Sequence, residues 1–385
     1  MQAGKGVLMA ALAAWLAVVV MGADTRPAAT GAAPAGLDAA QRKAVLASLD
    51  KGIAYLEKQQ KPNGSWSNST YPAITALAAR VFLDYPEGRY TRTSPAVASA
   101  LKFIVSVAKD NGKEGLHEKT LENYNTSICL STLVAAKDPA YDALIANARQ
   151  YLSAKMIWDE TTQGVTKEDL RYGGAGYGVK DGQKRPDLSN TQWMVEALSD
   201  SGLAATDPAY ERVVVFVKRC QNVKDKDSAP IASDDGGFYY APSPPESKAG
   251  RDEKGSLKSY GGMTYAGFKS FLHAKMSKDD PRVRAAWNWI RSHYTVETNP
   301  GLGKPGLFYY YLTMAKALTV YGEPFVIDDK GVKHDWRADL GQKIAALQAA
   351  DGSWNNENDR WEEGDPVLVT AYALSAMEYC LKPVK

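Results

Sequence analysis

The feature that most constrains this chain is a short segment that occurs near both ends. Residues 56–66 read LEKQQKPNGSW and residues 344–354 read IAALQAADGSW, so a glutamine, a glycine, a serine and a tryptophan recur at equal spacing. Each copy follows an apolar run of helical period and ends in a glycine turn. A recurring unit of this kind predicts a repeat architecture, in which each unit buries its apolar face against its neighbours.

A second pattern connects the two copies. A threonine is followed six residues later by a small or apolar residue and then a larger one, within an apolar run. This frame begins at Thr75, Thr126, Thr191, Thr264, Tyr311 and Thr370, with tyrosine in the threonine place of the fifth frame. An apolar helical segment precedes each frame, at about 40–60, 95–109, 139–157, 208–221, 281–294 and 335–350. The pattern predicts six helical hairpins.

The second helices of these hairpins form the inner layer of the predicted fold. We expect them at 72–84, 122–136, 188–201, 260–274, 306–320 and 366–381. Four hairpins carry an N-cap residue followed by proline at the first helical position, a common way to begin a helix. These pairs are Ser94-Pro95, Asp138-Pro139, Asp207-Pro208 and Asp280-Pro281. The small threonines are expected to point between neighbouring inner helices.

Composition excludes some classes of function. The chain has 385 residues with 46 Lys and Arg against 44 Asp and Glu, a net charge of +2, and the two signs are interspersed. A nucleic-acid-binding protein would show a basic stripe, and none is present. Strand patterns are scarce beside the long Ala- and Leu-rich helical runs, which predicts an all-α protein. We expect a monomer that binds no nucleic acid.

The N-terminus resembles a secretory signal. Lys5 precedes an uninterrupted apolar run from 7 to 20, and Gly22 and Ala23 suit a signal-peptidase site. We predict a signal peptide at 1–23, a flexible leader at 24–37 and one domain at 38–385, hence a periplasmic or secreted protein. A retained anchor is the alternative, with membrane-surface association, although the run is shorter than the ~20 residues that span a bilayer.

The turn segments resemble a known motif. Residues 51–66 match the QW motif of squalene–hopene and oxidosqualene cyclases, and 348–354 keep its second half. A looser form at 221–238 also resembles the GGF repeat of protein prenyltransferase β subunits. From about 40 to 382 the chain resembles the toroid shared by these families. More narrowly, the segments GGMTYAGFKSFL and GDPVLVTAYALSAM resemble those of secreted bacterial prenyltransferase/squalene-oxidase repeat proteins. The resemblance implies an α/α toroid, an (α/α)₆ barrel of six helical hairpins.

The QW element itself has a structural interpretation. Its glutamine amide can hydrogen-bond to groups at a neighbouring helix end, and its indole can cover the turn. We therefore predict that Trp66 and Trp354 are buried and serve the fold.

The catalytic motifs of the resembled families are missing. Squalene–hopene-type cyclases use a D-x-D-D acid, whereas the aspartate pairs here, at 234–235, 279–280 and 328–329, predict turns and caps. Prenyltransferase β subunits hold zinc with Asp, Cys and His, and neither the four histidines nor the three cysteines follow that spacing. The cysteines are interpreted as small buried thiols. No metal or cofactor is expected, and whether the chain is an enzyme stays open.

The resemblance implies that the inner-helix N-termini surround one end of a central cavity. If the protein is catalytic, Asp365 is the first candidate for a general acid and Asp187 the second; both precede an inner helix, so N-capping is the competing interpretation. A cap should have a lowered pKa, and a general acid a raised one. The expected ligand-contacting residues are Tyr124, Trp193, Tyr260, Tyr265, Tyr309, Tyr310 and Tyr372.

Three hypotheses for function follow. The first is an enzyme or binder of an isoprenoid-type lipid in an aromatic cavity. The second is a carbohydrate-active or carbohydrate-binding toroid, because (α/α)₆ barrels host both. The third is an interaction module without catalysis. A closed apolar cavity would favour the first, an open trough with two facing carboxylates the second, and a filled centre the third.

Overall fold

The computed structural model describes residues 36–178 and 185–383. The predicted signal peptide and nearly all of the predicted leader lie outside the described residues. Within the described part, twelve α-helices alternate between two layers. The outer helices are α1 (Ala39–Gln59), α3 (Pro95–Ser106), α5 (Asp142–Tyr151), α7 (Pro208–Arg219), α9 (Pro281–Ser292) and α11 (Trp336–Ala346). The inner helices are α2 (Pro72–Asp84), α4 (Glu122–Ala136), α6 (Leu188–Asp200), α8 (Gly261–His273), α10 (Leu307–Tyr321) and α12 (Pro366–Leu381).

The inner helices form a closed ring. Each packs against the next, and α12 packs against α2. The outer helices pack on this ring, and α1 also contacts α11, which brings the first and last hairpins together. The predicted all-α toroid of six hairpins is confirmed, and the inner helices lie within one residue of their predicted ends. No described helix has the length and apolar character needed to cross a membrane.

In the described residues, the regular elements of the connections are short. Two antiparallel pairs occur, β1 (Ala241–Pro242) with β2 (Pro245–Glu246), and β3 (Val326–Ile327) with β4 (Lys333–His334). Short 3₁₀ segments lie at Pro86–Gly88, Asp110–Gly112, Pro139–Tyr141 and Arg360–Glu362, and a π segment, Leu152–Met156, continues α5. The third hairpin therefore begins with a 3₁₀ turn, and its α-helix starts later than predicted.

Three of the four predicted caps form. The side chains of Asp138, Asp207 and Asp280 accept hydrogen bonds from backbone amides two residues ahead. Ser94 does not cap α3; its hydroxyl accepts from the amide of Thr91 at 3.0 Å. The outer helices α3 and α11 end three and four residues earlier than predicted.

The glutamines of the turn motif make equivalent bonds. In each copy the side-chain amide donates to the carbonyl of its own turn glycine and to a carbonyl of a neighbouring outer helix. The three sets are Gln60 with Gly64 and Ala96, Gln221 with Gly236 and Arg282, and Gln348 with Gly352 and Ser48. The motif thus connects adjacent hairpins around the ring, including the contact between the last hairpin and the first.

The tryptophans of the motif are fully buried, as predicted. The indole Nε1 of Trp66 donates to the carbonyl of Leu56 at 2.7 Å, and that of Trp354 to the carbonyl of Ile344 at 2.8 Å. Each indole therefore seals its turn against the preceding outer helix while satisfying its own donor.

The frame threonines have one shared role. Each Oγ1 accepts a hydrogen bond from a backbone amide in the turn before its inner helix, at 3.0–3.1 Å. The pairs are Trp66 with Thr75, Leu116 with Thr126, Ala175 with Thr191, Phe238 with Thr264 and Trp354 with Thr370. We expected the threonines to point between neighbouring inner helices. Their hydroxyls each satisfy a buried backbone amide that lies outside the helices and so has no helical hydrogen bond. In the fifth frame Tyr311 differs and donates to the carbonyl of Val296 at 2.7 Å.

Candidate functional site

We call the end of the ring at which the inner helices begin the mouth. Asp365 lies there as the N-cap of α12. Its Oδ1 accepts from the amide of Val367 at 2.9 Å, and its Oδ2 accepts from the hydroxyl of Ser67. Both carboxylate oxygens are therefore engaged by protein donors, which is the geometry of a helix cap and not of an acid that faces a substrate.

Asp187 combines features of both interpretations. It is fully buried and caps α6, with Oδ1 accepting from the amide of Asn190 and Oδ2 from the side-chain amide of the same residue, both at 2.8 Å. Burial raises its pKa to about 6, against hydrogen bonds from Asn190 and Tyr240 that act to lower it. The Tyr240 hydroxyl in turn lies 3.0 Å from that of Tyr177.

Glu363 is a third carboxylate at the mouth and, like Asp187, is fully buried. It accepts from the amide of Tyr309 at 2.8 Å and from the side chain of Asn356 at 2.5 Å. Gly306 precedes α10 and offers no side chain to cap it, so Glu363 supplies the acceptor from the next hairpin. Burial raises its pKa. Asp187, Glu363 and Asp365 thus each serve a helix N-terminus.

Side chains from four inner helices meet just inside the mouth, and we call this group the tyrosine cluster (Tyr124, Ser189, Gln192, Tyr309 and Tyr372). The Ser189 hydroxyl lies 2.5 Å from that of Tyr124 and 3.0 Å from that of Tyr309. Gln192 donates to the Tyr309 hydroxyl at 3.1 Å, and the ring of Tyr372 meets that of Tyr309 edge-on at 6.3 Å. The three tyrosines are partly exposed. Because α8 separates α6 from α10 in the ring, the Ser189–Tyr309 contact crosses the interior.

A second group lies one turn deeper, and we call it the central ion cluster (Trp193, Glu196, Lys269 and Lys316). The carboxylate of Glu196 binds the ammonium of Lys269 and, at 2.7 Å, that of Lys316. The Lys316 ammonium lies 4.4 Å from the centroid of the Trp193 ring, in a cation–π contact. All four side chains are buried or nearly so. Charged and aromatic side chains therefore occupy the interior of the ring at this level.

Two cations share one carboxylate in this cluster. Burial alone would raise the pKa of Glu196, but Lys269 and Lys316 outweigh it and hold the pKa below its ordinary value. Burial and the neighbouring ammonium of Lys316 lower the pKa of Lys269 to about 8, against the attraction of Glu196. The group carries an excess positive charge in the middle of the ring.

The seven predicted aromatic residues lie in different surroundings in the structure. Tyr124, Tyr309 and Tyr372 belong to the tyrosine cluster and Trp193 to the central ion cluster below it. Tyr260, at the start of α8, is buried, and its pKa is raised by burial and then by the nearby Tyr309.

Tyr265 and Tyr310 do not reach the mouth. They are buried between α8 and α10 with ring centroids 5.7 Å apart, and the Tyr310 hydroxyl donates to the carbonyl of Thr295 at 2.6 Å. Successive residues on a helix point in directions about 100° apart, so Tyr309 and Tyr310 necessarily face different surroundings.

The polar partners in both clusters were not predicted. Ser189, Gln192 and Glu196 follow one another at helical spacing on α6, and this polar stripe on an inner helix was a signal that could have been used. Lys269 and Lys316 each interrupt an apolar run of an inner helix, which was a second signal. Within 36–178 and 185–383, no group of three or more His, Cys, Asp or Glu side chains is placed to hold a metal ion. The three cysteines are buried free thiols, as predicted.

Comparison with known proteins identifies the fold only. No protein-family model and no curated protein matches the sequence. A type II terpene cyclase from Scytonema, solved with geranylgeranyl dihydroxybenzoate, is similar with a TM-score of 0.54 and 12% identity over 89% of this chain and 99% of that one. A family 88 glycosyl hydrolase from Bacteroides vulgatus is similar with a TM-score of 0.50 and 12% identity over 88% and 99%. A candidate GH105 protein from Salmonella enterica gives 0.50 and 13% over 88% and 94%. The chain therefore has the α/α toroid fold, which serves both terpenoid and carbohydrate chemistry in other proteins.

Proposed function

We propose that this protein is a secreted or periplasmic toroid that binds a carbohydrate at its mouth through the tyrosine cluster and does not transform it. The observation that carries the proposal is that side chains of the non-adjacent helices α6 and α10 touch across the interior at two levels. These contacts narrow the axis of the ring below the mouth, so the mouth is the favoured place for a ligand.

The central ion cluster argues against an isoprenoid substrate. Small-molecule pockets usually measure about 300–1,000 Å³ and are lined mainly by apolar groups. The axis of this ring instead holds the central ion cluster, with Glu196 and Lys269 both buried. An apolar chain placed there would have to separate or desolvate paired charges, which is costly.

The mouth carboxylates argue against cleavage of a glycan. Most glycosidases place two carboxyl groups on either side of the scissile bond, one of them as acid. Asp187, Glu363 and Asp365 instead accept hydrogen bonds from helix N-termini or neighbouring side chains. These three carboxylates are therefore engaged by protein donors, which favours binding over hydrolysis.

The lining of the mouth suits a carbohydrate. Partly exposed tyrosines provide ring faces for the apolar side of a sugar and hydroxyls for its polar edge. Gln192 Oε1, in the tyrosine cluster, is buried and has no hydrogen-bond partner among the described residues. It is an acceptor, and a sugar hydroxyl can donate to it, so a hydroxylated ligand would satisfy an atom that is otherwise costly to bury.

Calorimetric titration of the purified chain with neutral and acidic oligosaccharides tests the proposal. We expect a carbohydrate to bind, Tyr309→Ala and Tyr372→Ala to weaken binding at least tenfold, and the matched control Tyr310→Phe to bind as the wild type does. The same variants are then mixed with vesicles that contain a C30 isoprenoid. Binding or conversion of that isoprenoid, with no carbohydrate bound, would contradict the proposal and support the lipid hypothesis.

A further inference from the structure

A separate cavity lies at the opposite end of the ring from the mouth, where the inner helices end. Its volume is about 420 Å³, within the usual range for small-ligand sites. The last turns of α2 and α4, the last residue of α6 and the segment after α2 line it. Leu83, Tyr90 and Val134 form an apolar wall, and Arg80, Ser131 and Asp200 are among the polar groups.

The arginines of this cavity are already neutralised. Arg80 Nε donates to Asp84 at 2.8 Å, and its Nη1 donates to the carbonyl of Ser131 at 3.2 Å. Arg92 pairs with Asp138 at 3.2 Å. The last lining cation, Lys137, is exposed at the end of α4 and can extend its ammonium into solvent. An anionic ligand would therefore have to compete with carboxylates for both arginines.

Asp200 differs from the other lining carboxylate. Among the residues that the structure describes, no lysine or arginine forms an ion pair with Asp200, whereas Asp84 pairs with Arg80. The Asp200 side chain is open to the cavity and hydrogen-bonds to Ser131, yet enough protein surrounds it that burial, and then Glu196, raises its pKa. It also ends α6, and free carbonyls at a helix C-terminus make the local potential more negative.

We propose that this cavity binds a small molecule that carries an amine or guanidine on an apolar stem. The cationic nitrogen binds the carboxylate of Asp200, which makes no direct ion pair among the described residues, and meets the negative ends of the inner helices. The apolar stem lies against Leu83, Val134 and the ring of Tyr90. The site shares no residue with the mouth, so its test does not depend on carbohydrate binding.

Three probes of nearly equal shape test the charge preference: 2-phenylethylamine, 2-phenylethanol and phenylacetate, each titrated into the full chain by heteronuclear NMR. We expect the amine to bind at least ten times more tightly than the other two, with shifts at Leu83 and Val134. Asp200→Asn should weaken the amine at least tenfold and leave 2-phenylethanol unchanged. Asp227→Asn, which removes an exposed carboxylate paired with Lys218 outside the cavity, is the control and should change neither.

Ala135→Phe provides a second variant that does not alter charge. Ala135 lines the cavity, so the added ring should fill it and abolish amine binding while the fold persists. Equal binding of all three probes, binding of phenylacetate in preference to the amine, or amine binding that survives both Asp200→Asn and Ala135→Phe would overturn the proposal.

Discussion

The two ends of the ring offer carboxylates different hydrogen-bond partners. At the mouth, the inner helices present backbone amides, and Asp187, Glu363 and Asp365 accept hydrogen bonds from them. At the opposite end the same helices present carbonyls, which cannot donate. Glu378 is buried there with no partner among the described residues for its Oε1, and burial raises its pKa well above the usual value.

The difference shows that the direction of the helices decides what an acidic residue can do. An anion is stabilised at a helix N-terminus and destabilised at a C-terminus. Asp187, Glu363 and Asp365 at the mouth therefore accept hydrogen bonds from helix N-termini, whereas Asp200 lies at the C-terminal end of α6, where the helix offers no free amide. The candidate acids predicted at the mouth lie at the end where the framework already engages them.

The turn at the mouth should show the largest effect. Replacing Trp354 with alanine removes a fully buried indole and its bond to Ile344 and should cost roughly 3–5 kcal/mol of unfolding free energy. Trp361, also near the mouth, is 42% exposed and is the matched control; its alanine variant should lose much less. Urea unfolding measures both, and equal losses would mean that the motif does not support the ring as described.

The central ion cluster lies between the two ends, and a substitution there should cause the second largest loss of stability. Glu196→Gln leaves two buried ammonium groups without their counter-charge, so we expect a loss of about 3 kcal/mol. Glu297→Gln removes an exposed partner of Lys343 and should have no measurable effect. If the Glu196 variant unfolds at the same urea concentration as wild type, the charges are not buried together.

Asp187 should make the stability of the folded protein fall as pH rises from about 4 to about 6. An unfolded aspartate loses its proton near pH 3.9, whereas the folded carboxyl keeps it until about pH 6. The folded state binds more protons between those values, so this group's contribution to stability is present below about pH 4 and is lost as pH rises to about 6, by roughly 1–3 kcal/mol in total. Asp187→Asn keeps a capping side chain and should flatten this slope in thermal melts at pH 4–7. An unchanged slope would refute the assignment.

The smallest expected loss of stability is at Asp365, and its variants distinguish helix capping from catalysis. Removing the cap with Asp365→Ala should cost about 1 kcal/mol, and Asp365→Asn should restore most of it, because asparagine also caps helices. Carbohydrate affinity should be the same in both variants. Loss of ligand binding or of an activity at unchanged stability would show that Asp365 serves the site and would restore it as a candidate acid.

The predictions that succeeded concern features encoded locally. The turn glutamines, the buried tryptophans and the inner-helix bounds follow from spacing within segments of about 20 residues, because apolar period, helix caps and glycine turns act over that range. The aromatic predictions were only partly useful. Residues 308–311 form a continuous aromatic run in the sequence, and nothing in the run itself distinguishes the ring that faces the mouth from the one that faces α8.

The sequence alone determined that the chain forms six hairpins with structural tryptophans and without the acid and zinc motifs of the families it resembles. Only the tertiary structure decided that Glu196 meets Lys269 and Lys316, that Glu363 caps a helix of the preceding hairpin, and that Asp200 opens into a cavity. These contacts join residues from different hairpins, and their geometry depends on how the ring closes. Closure is a property of all six repeats together, so no single segment of sequence carries it.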